Sequence, residues 1–212
     1  MTAREAILGN LRRRALAAGA TEFTYARDNF SELSADAMVD RFVSLVTAEA
    51  TTVERIADLA QVPYAVASYL RGQQLPGRVV VDTSACVSVE AFVGTDLQVA
   101  MPPLRPDHDV LLSGCYGAVA ESGALVISTS DGHAITNDFL AQTHIIILFA
   151  DRIVATLADL WDALRADAQG MFMPLEFCLV TGPSRTADLG VPAKMGAHGP
   201  ARVHVLLVSG QV

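Results

Sequence analysis

The sequence predicts an α/β domain whose core is an open, mostly parallel β-sheet with helices on both faces. The main observation is a series of short apolar segments bounded by glycine or polar residues, which is typical of fully buried strands in parallel sheets. A second observation is a helical periodicity at about Ile153–Ala168, which predicts a strand–helix–strand crossover between the fifth and sixth segments. The predicted strands are residues 78–82, 97–101, 110–113, 124–128, 144–150, 177–181 and 203–208.

Four helices are predicted before the first strand, at residues 3–18, 35–48, 53–61 and about 63–70. Ser34 is a suitable N-cap for the second helix, and Thr51 followed by Glu54 has the spacing of a capping box for the third. The chain has 212 residues, of which 51% are hydrophobic and 18% charged, so it suits one compact unit. We divide it into an N-terminal helical segment, residues 1–74, and an α/β domain, residues 75–212.

Composition and charge exclude several classes of function. The net charge of -8 argues against nucleic acid as the main partner, because binding a polyanion relies on clustered Lys and Arg. The longest apolar run, Ile145–Ala150, is far shorter than the ~20 residues that span a bilayer. Cys86, Cys115 and Cys178 lack the spacing of a metal site, and an odd number suits a reducing compartment. No signal peptide is recognisable at the start, so we expect a cytoplasmic protein without membrane insertion.

The first loop with unusual content is Gly114–Gly123, which lies between two predicted strands and contains three glycines. Glu121 is its only ionisable carboxylate, and Ser122 and Gly123 follow it directly. A carboxylate among small and apolar residues can serve as a nucleophile or as a base. It can equally accept hydrogen bonds from backbone amides in a tight turn. Both interpretations of Glu121 stay open at this point.

The second loop, Thr181–Asp188, follows the predicted strand 177–181. Ser184 can cap a short helix whose first amides would favour an anion, and the Arg185 guanidinium suits a carboxylate or a phosphate. The loop also offers further polar or small ligand-contacting residues, which are Gly182, Thr186 and Asp188. The alternative is an ordinary capped turn in which Arg185 pairs with a surface acid. The glycine–lysine pattern of a Walker A loop is absent.

The third loop, Gly196–Pro200, precedes the last predicted strand and places His198 in a turn beside Gly199. A histidine in such a turn can donate a proton or act as a general acid–base, although a loop histidine is often only solvated. His144 is expected to be a core or edge residue, and His204 is expected to face solvent because it alternates with valines. No histidine pair has the spacing of a metal site, and no serine lies in a nucleophile elbow.

At these loops the sequence resembles the lactate-utilisation protein C family, a family of the LUD-domain type. The resemblance rests on the segments AESGAL at 120–125, THIIIL at 143–148 with RIV at 152–154, GPSRTAD at 182–188, and GAHGP at 196–200. It covers residues from about 79 to 208, and more loosely the first third of the chain. The order and spacing of the segments match as well as their content.

The resemblance implies the fold of the sugar-phosphate isomerase and CoA-transferase superfamily (NagB/RpiA/CoA-transferase-like). It also implies a role beside two iron–sulfur proteins in the oxidation of L-lactate to pyruvate, with no catalytic residue firmly assigned to this subunit. The sequence departs from the family at two places. Ser122 stands where threonine is usual, and residues 140–142 stand where a proline-containing turn is common.

Two main hypotheses about function follow. In the first, the chain is a non-redox subunit or accessory protein that binds a small carboxylate or acylated ligand. It would carry no cofactor of its own, because the sequence has neither a cysteine cluster nor a dinucleotide fingerprint, and the iron–sulfur clusters would belong to partner proteins. In the second, it is a stand-alone acyl-transfer enzyme of CoA-transferase type with Glu121 as nucleophile. A ligand sensor without chemistry is a further alternative.

The candidate site follows from these loops. Glu121 and His198 are the candidate catalytic residues. The candidate ligand-binding residues are Ser122, Gly123, Gly182, Ser184, Arg185, Thr186, Asp188 and Gly199. We expect Glu121, Arg185 and His198 to line one cleft, because ligands of open α/β sheets bind beyond the carboxyl ends of the strands.

Overall fold

The structure is a computed structural model of the whole chain. It describes residues 4–5, 7–9, 30, 33–104, 110–129, 134–168, 176–188 and 191–209. Within these ranges, none of the helices combines the length and the apolar character needed to cross a membrane. Residues 4–5 and 7–9 are helical, and the rest of the helix predicted at 3–18 lies outside the described residues.

The described chain contains both helices and strands, with short 3₁₀ turns between several of them. The helices are α1 (Ala35–Ala48), α2 (Val62–Gly72), α3 (Thr136–Leu140) and α4 (Leu157–Ala168). The first six strands are β1 (Thr52–Ile56), β2 (Arg78–Val81), β3 (Gln98–Ala100), β4 (Val110–Gly114), β5 (Gly117–Val119) and β6 (Ala124–Ser128). The others are β7 (Thr143–Phe149), β8 (Ile153–Val154), β9 (Phe177–Val180), β10 (Arg185–Asp188), β11 (Val191–Met195) and β12 (Arg202–Val208).

The central sheet has six strands in the order β1-β12-β7-β4-β2-β3. All five neighbouring pairs in this sheet are parallel. Its inner strands are continuous apolar runs because both of their faces are covered. The predicted α/β class with a mostly parallel sheet is therefore confirmed.

Two hydrophobic clusters cover the two faces of this sheet. Along β7, Ile145 and Ile147 face the first cluster, which includes residues of α2, whereas Ile146 and Leu148 face the second, which includes residues of α1. This alternation is the two-residue period of a strand that packs on both sides. The prediction of helices on both faces is confirmed.

A second sheet packs against the cluster that contains α1. It has the order β8-β5-β6-β9, and its β5–β6 and β6–β9 pairs are antiparallel. Since β7 belongs to the central sheet and β9 to this second sheet, the crossover predicted between the fifth and sixth strands is wrong. The buried strand β6 is as apolar as a parallel strand, so its composition alone does not reveal which sheet it joins.

The helix predicted at 53–61 is also wrong. Residues 52–56 form β1, which pairs in parallel with β12, and a 3₁₀ turn follows at Leu59–Gln61. Thr51 is only 2% exposed, and its side chain makes no capping hydrogen bond. Pairing with β12 therefore overrides the local capping signal, as tertiary context often does.

The other two N-terminal helices are confirmed. Helix α1 has the predicted bounds, and the Ser34 side chain accepts a hydrogen bond from the Ala37 amide over 3.3 Å. Helix α2 begins with Pro63 in its first turn, where the missing amide hydrogen costs nothing. Both helices, together with β1, contribute buried residues to the clusters on the central sheet.

Candidate functional site

A cavity of about 280 Å³ lies where β2, β4 and β7 end. All three strands are parallel, so the cavity occupies the edge of the sheet at which open α/β folds bind ligands. We call it the edge cavity. It is lined by Ser84, Ala85, Cys86, Gly114, Cys115, Tyr116, Ile147, Phe149, Arg152 and Asp167.

Two glycines allow the walls of the edge cavity to approach each other. A Cβ atom at Gly114 would collide with the carbonyl oxygen of Ser84, and one at Gly117 would collide with that of Arg152. The Gly114 amide also donates to Ser84 Oγ over 3.1 Å, and that hydroxyl donates to Asp82 Oδ1 over 2.8 Å. The two glycines thus allow the segment after β2 to approach the end of β4 and the segment after β7 to approach the start of β5.

Three polar side chains meet at one side of the edge cavity. The Tyr116 hydroxyl donates to Asp167 Oδ2 over 2.7 Å, and Arg152 Nη1 lies 3.8 Å from the same oxygen. Burial raises the pKa of Tyr116 to about 12, and the hydrogen bond and negative charge of Asp167 act in the same direction. The phenol therefore stays protonated, and a donor, at neutral pH.

Two thiols line the edge cavity. Cys115 Sγ donates to the Ile147 carbonyl over 3.4 Å, and burial raises the pKa of this thiol to about 12. Cys86 is exposed and adopts a left-handed backbone conformation with φ of 54°. Because the thiolate is the nucleophilic form, the Cys115 thiol is inert at neutral pH.

Glu121 lies in the turn between β5 and β6. Its Oε2 accepts a hydrogen bond from the Leu157 amide over 3.2 Å, at the first residue of α4. In the same turn, Ser122 Oγ accepts from the Ala124 amide over 3.3 Å, and Gly123 has φ of 70° close to Leu45 of α1. The turn therefore contacts both α1 and α4, and the Glu121 carboxylate accepts a hydrogen bond at the N-terminus of α4.

The second and third loops pack against each other. Ser184 does not cap a helix, contrary to the prediction, because the chain continues directly into β10. Instead its amide donates to the Pro200 carbonyl over 2.8 Å, and its Oγ accepts from the His198 amide over 3.3 Å. The buried Gly199 lies against the Ser184 side chain. Pairing of β10 with β11, which brings Arg185 opposite Met195, outweighs the local helix signal.

Arg185 reaches back to the C-terminal end of α1. Its Nη2 donates to the Glu49 carbonyl over 2.9 Å, and its Nη1 lies 3.4 Å from Glu49 Oε2. Gly182 packs closely on the same carbonyl. Thr186 and Asp188 belong to β10, and the side chain of Asp188 lies outside the described residues. A cation at a helix C-terminus is stabilising, so Arg185 stabilises the C-terminal end of α1.

The three predicted loops thus gather around the last turns of α1. Gly123 contacts Leu45, and Gly182 and Arg185 contact Glu49. His198 is exposed and joins this group through Ser184. Glu121, Arg185 and His198 are not among the residues that line the edge cavity. A cleft shared by these three side chains stays a prediction.

Two histidines of the central sheet are buried. His144 Nε2 lies 2.7 Å from Ser113 Oγ and 3.4 Å from Asp138 Oδ1, which confirms the expected core position. The prediction that His204 faces solvent is wrong, since this residue is only 3% exposed. It lies in β12, between β1 and β7, where both faces of the sheet are covered, and alternation marks a solvent face only when one face is open.

Sequence reasoning missed the polar residues of the edge cavity. Ser84, Tyr116 and Arg152 each follow a strand of the central sheet within three residues. Their positions directly after parallel strands are a signal that could have identified them. The sequence around Asp167 on α4 contains no comparable signal. Among the described residues, no group of three or more His, Cys, Asp or Glu side chains could hold a metal ion.

Comparisons with known proteins agree on one family. The LUD domain model matches residues 106–208. Lactate utilization protein B of Geobacillus thermodenitrificans is 30% identical over 115 residues, which cover 51% of this chain and 22% of that protein. Lactate utilization protein C of Bacillus subtilis is 33% identical over 92 residues, which cover 43% of this chain and 38% of that protein. The chain therefore aligns with well under half the length of either relative.

A solved structure shares the fold. The crystal structure of a DUF162 family protein from Deinococcus radiodurans aligns with a TM-score of 0.61 and 22% identity, over 84% of this chain and 99% of that one. A ribose-5-phosphate isomerase in complex with phospho-erythronic acid aligns over 79% of this chain and 74% of that one, with 15% identity and a TM-score of 0.31, a likeness too distant to inform the chemistry. The domain match and the lactate utilization relatives thus show that residues 106–208 are similar to the LUD domain family.

Proposed function

We propose that the chain is a cytoplasmic, non-redox subunit or accessory protein of a system that oxidises L-lactate to pyruvate. In this role its edge cavity binds a small carboxylate or an acylated ligand. The names of the relatives, lactate utilization proteins B and C, support the metabolic context. The position of the edge cavity in the fold supports the binding role.

The observation that carries the proposal is the chemistry of the edge cavity walls. Arg152 provides a guanidinium, Tyr116 provides a hydroxyl, and Ile147 and Phe149 provide an apolar surface. A guanidinium beside an apolar wall suits an anion with a short carbon skeleton. A volume of about 280 Å³ is at the small end of ligand pockets, so it fits a metabolite of a few carbons.

The electron transfer of such a system would belong to partner proteins that carry iron–sulfur clusters. The sequence of this chain has three scattered cysteines and no dinucleotide fingerprint. Its own contribution would be to hold a carboxylate, either the substrate or the product, while the partners accept electrons.

The acyl-transfer alternative depends on Glu121 acting as a nucleophile. The observed hydrogen bond to the Leu157 amide gives this carboxylate a structural task, and Glu121 does not line the edge cavity. We therefore favour the binding role. An acyl adduct on Glu121 after incubation with acyl-CoA, detected by mass spectrometry, would instead support the alternative.

The test is ligand binding by Arg152→Ala. L-lactate and pyruvate should raise the thermal unfolding midpoint of the wild-type protein, because a ligand that binds only the folded state stabilises it. Loss of the guanidinium should weaken this binding about tenfold or more, since charge-assisted hydrogen bonds are the strong ones. Arg165→Ala is the matched control, because Arg165 is an exposed arginine of α4 that pairs with Asp162.

Two results would contradict the proposal. The first is equal binding by the wild type and Arg152→Ala, which would move the ligand away from the edge cavity. The second is lactate-dependent reduction of a dye by the purified chain alone, which would contradict the non-redox role.

A further inference from the structure

Asp167 occupies the polar side of the edge cavity in a manner that resembles a bound carboxylate. Its Oδ2 accepts the Tyr116 hydroxyl hydrogen bond over 2.7 Å and lies 3.8 Å from Arg152 Nη1. These are the donor groups that the proposed function assigns to a ligand carboxylate. A ligand that approaches Arg152 therefore meets a carboxylate already placed beside that guanidinium.

The Asp167 side chain is held in this position mainly by the Tyr116 hydroxyl and only weakly by Arg152. The 3.8 Å separation from Arg152 exceeds hydrogen-bonding distance, and the side chains are 57% and 47% exposed, so the ion pair contributes little. Asp167 also lies next to the last residue of α4, where the helix dipole disfavours a negative charge. Moving this carboxylate away from the cavity therefore breaks mainly the Tyr116 hydrogen bond, which a ligand carboxylate can form in its place.

We propose that Asp167 is a competing carboxylate, which sets the affinity of the edge cavity for small monocarboxylates by occupying the place of the ligand carboxylate on Tyr116 and Arg152. This inference rests on the proposed function and names the ligand class more narrowly. Ligand binding then displaces the Asp167 side chain at the end of α4. The ligand carboxylate takes over the Tyr116 hydroxyl hydrogen bond and approaches the Arg152 guanidinium.

The experiment compares Asp167→Asn with the wild type, using sodium L-lactate and sodium pyruvate as probes in isothermal titration. Asparagine can still accept the Tyr116 hydrogen bond, so the substitution removes the charge and keeps the local geometry. The neutral amide neither repels a ligand carboxylate nor competes as an anion for the Arg152 guanidinium, so the binding of both probes should tighten about tenfold. Asp162→Asn, on the exposed face of the same helix, is the control and should leave the affinity unchanged.

A second readout reports on the contact itself without any ligand. Removing the Asp167 charge should lower the pKa of Tyr116, because that carboxylate contributes to raising it. Ultraviolet titration of tyrosine should detect this change in Asp167→Asn and not in Asp162→Asn. An unchanged tyrosine titration would show that Asp167 does not contact Tyr116, and the inference would fail.

The binding outcomes separate this inference from the proposed function. If the wild type binds the probes and Asp167→Asn binds them equally or more weakly, the competing carboxylate is refuted and the proposed function stands. If neither the wild type nor Asp167→Asn binds either probe, both are refuted. Tighter binding by Asp167→Asn, lost again in the double variant with Arg152→Ala, supports both.

Discussion

At the scale of single residues, His204 is the clearest departure from what its neighbours in sequence suggest. Its Nδ1 lies 2.8 Å from Thr52 Oγ1, and its ring stacks on Tyr69 with 3.9 Å between the centroids. Burial lowers the pKa of His204 to about 4, so the imidazole is neutral at physiological pH. The local pattern of alternating valines could not reveal this, because the cover over β12 comes from α2, far away in sequence.

His204 should make the stability of the protein depend on pH. Its pKa is lower in the folded state than the ordinary value of 6.5, so the unfolded state binds the proton more readily. Stability is therefore fully present above pH 6.5 and is lost as the pH falls towards 4. Between pH 7 and pH 5 the loss should be on the order of 2 kcal/mol.

Urea unfolding of His204→Asn at several pH values tests this dependence. Asparagine keeps a polar atom near the position of Nδ1 but does not titrate, so the slope between pH 7 and pH 5 should become flatter. His198→Asn, which replaces an exposed histidine with the same residue, is the matched control. Equal slopes for the wild type and His204→Asn would show that His204 is not the titrating group.

At the scale of secondary-structure elements, the sequence located most strands and helices but not their partners. The bounds of α1 follow from Ser34 and the helical spacing of Phe42 and Val46, which are local signals. The strand β1 and the hairpin β10–β11 depend on pairing with distant strands, so the local caps at Thr51 and Ser184 were misleading. The candidate carboxylate Glu121 likewise gains its role from α4, which begins 36 residues later.

Glu121 should stabilise the N-terminus of α4. Replacing it with alanine removes the acceptor for the Leu157 amide and a negative charge near the positive end of the helix dipole. We expect a loss of about 1 kcal/mol in the free energy of unfolding, measured with urea. Glu121→Gln keeps an acceptor and should lose less. If Glu121→Ala is as stable as the wild type, the cap is unimportant and a chemical role regains support.

At the scale of the whole molecule, the N-terminal third is part of the central sheet. Strand β1 pairs along its length with β12, and α1 and α2 cover opposite faces. Phe42 and Leu70, both at most 1% exposed, anchor these two helices in the clusters. Composition and periodicity predicted the parallel sheet and its two-sided cover. They could not predict the second sheet, because β5, β6 and β9 have the same apolar composition as the central strands.

A fragment that begins at residue 75 should therefore not fold on its own. It would expose the edge of β12 and the parts of both sheet faces that α1 and α2 cover, and each large side chain that loses its burial costs about 1.5–3 kcal/mol. We expect circular dichroism and urea titration to show no cooperative transition, in contrast to the full chain. A cooperative transition in the fragment would instead establish residues 75–212 as an independent domain.

The contacts of the three loops with the C-terminal end of α1 have a mechanical consequence. Gly123 rests on Leu45, Gly182 and Arg185 hold Glu49, and His198 is tied to them through Ser184. Any rotation or shift of that helical end would act on every one of these segments at the same moment. The three loops therefore share one support, the C-terminal end of α1, and a movement of that end would move all three together.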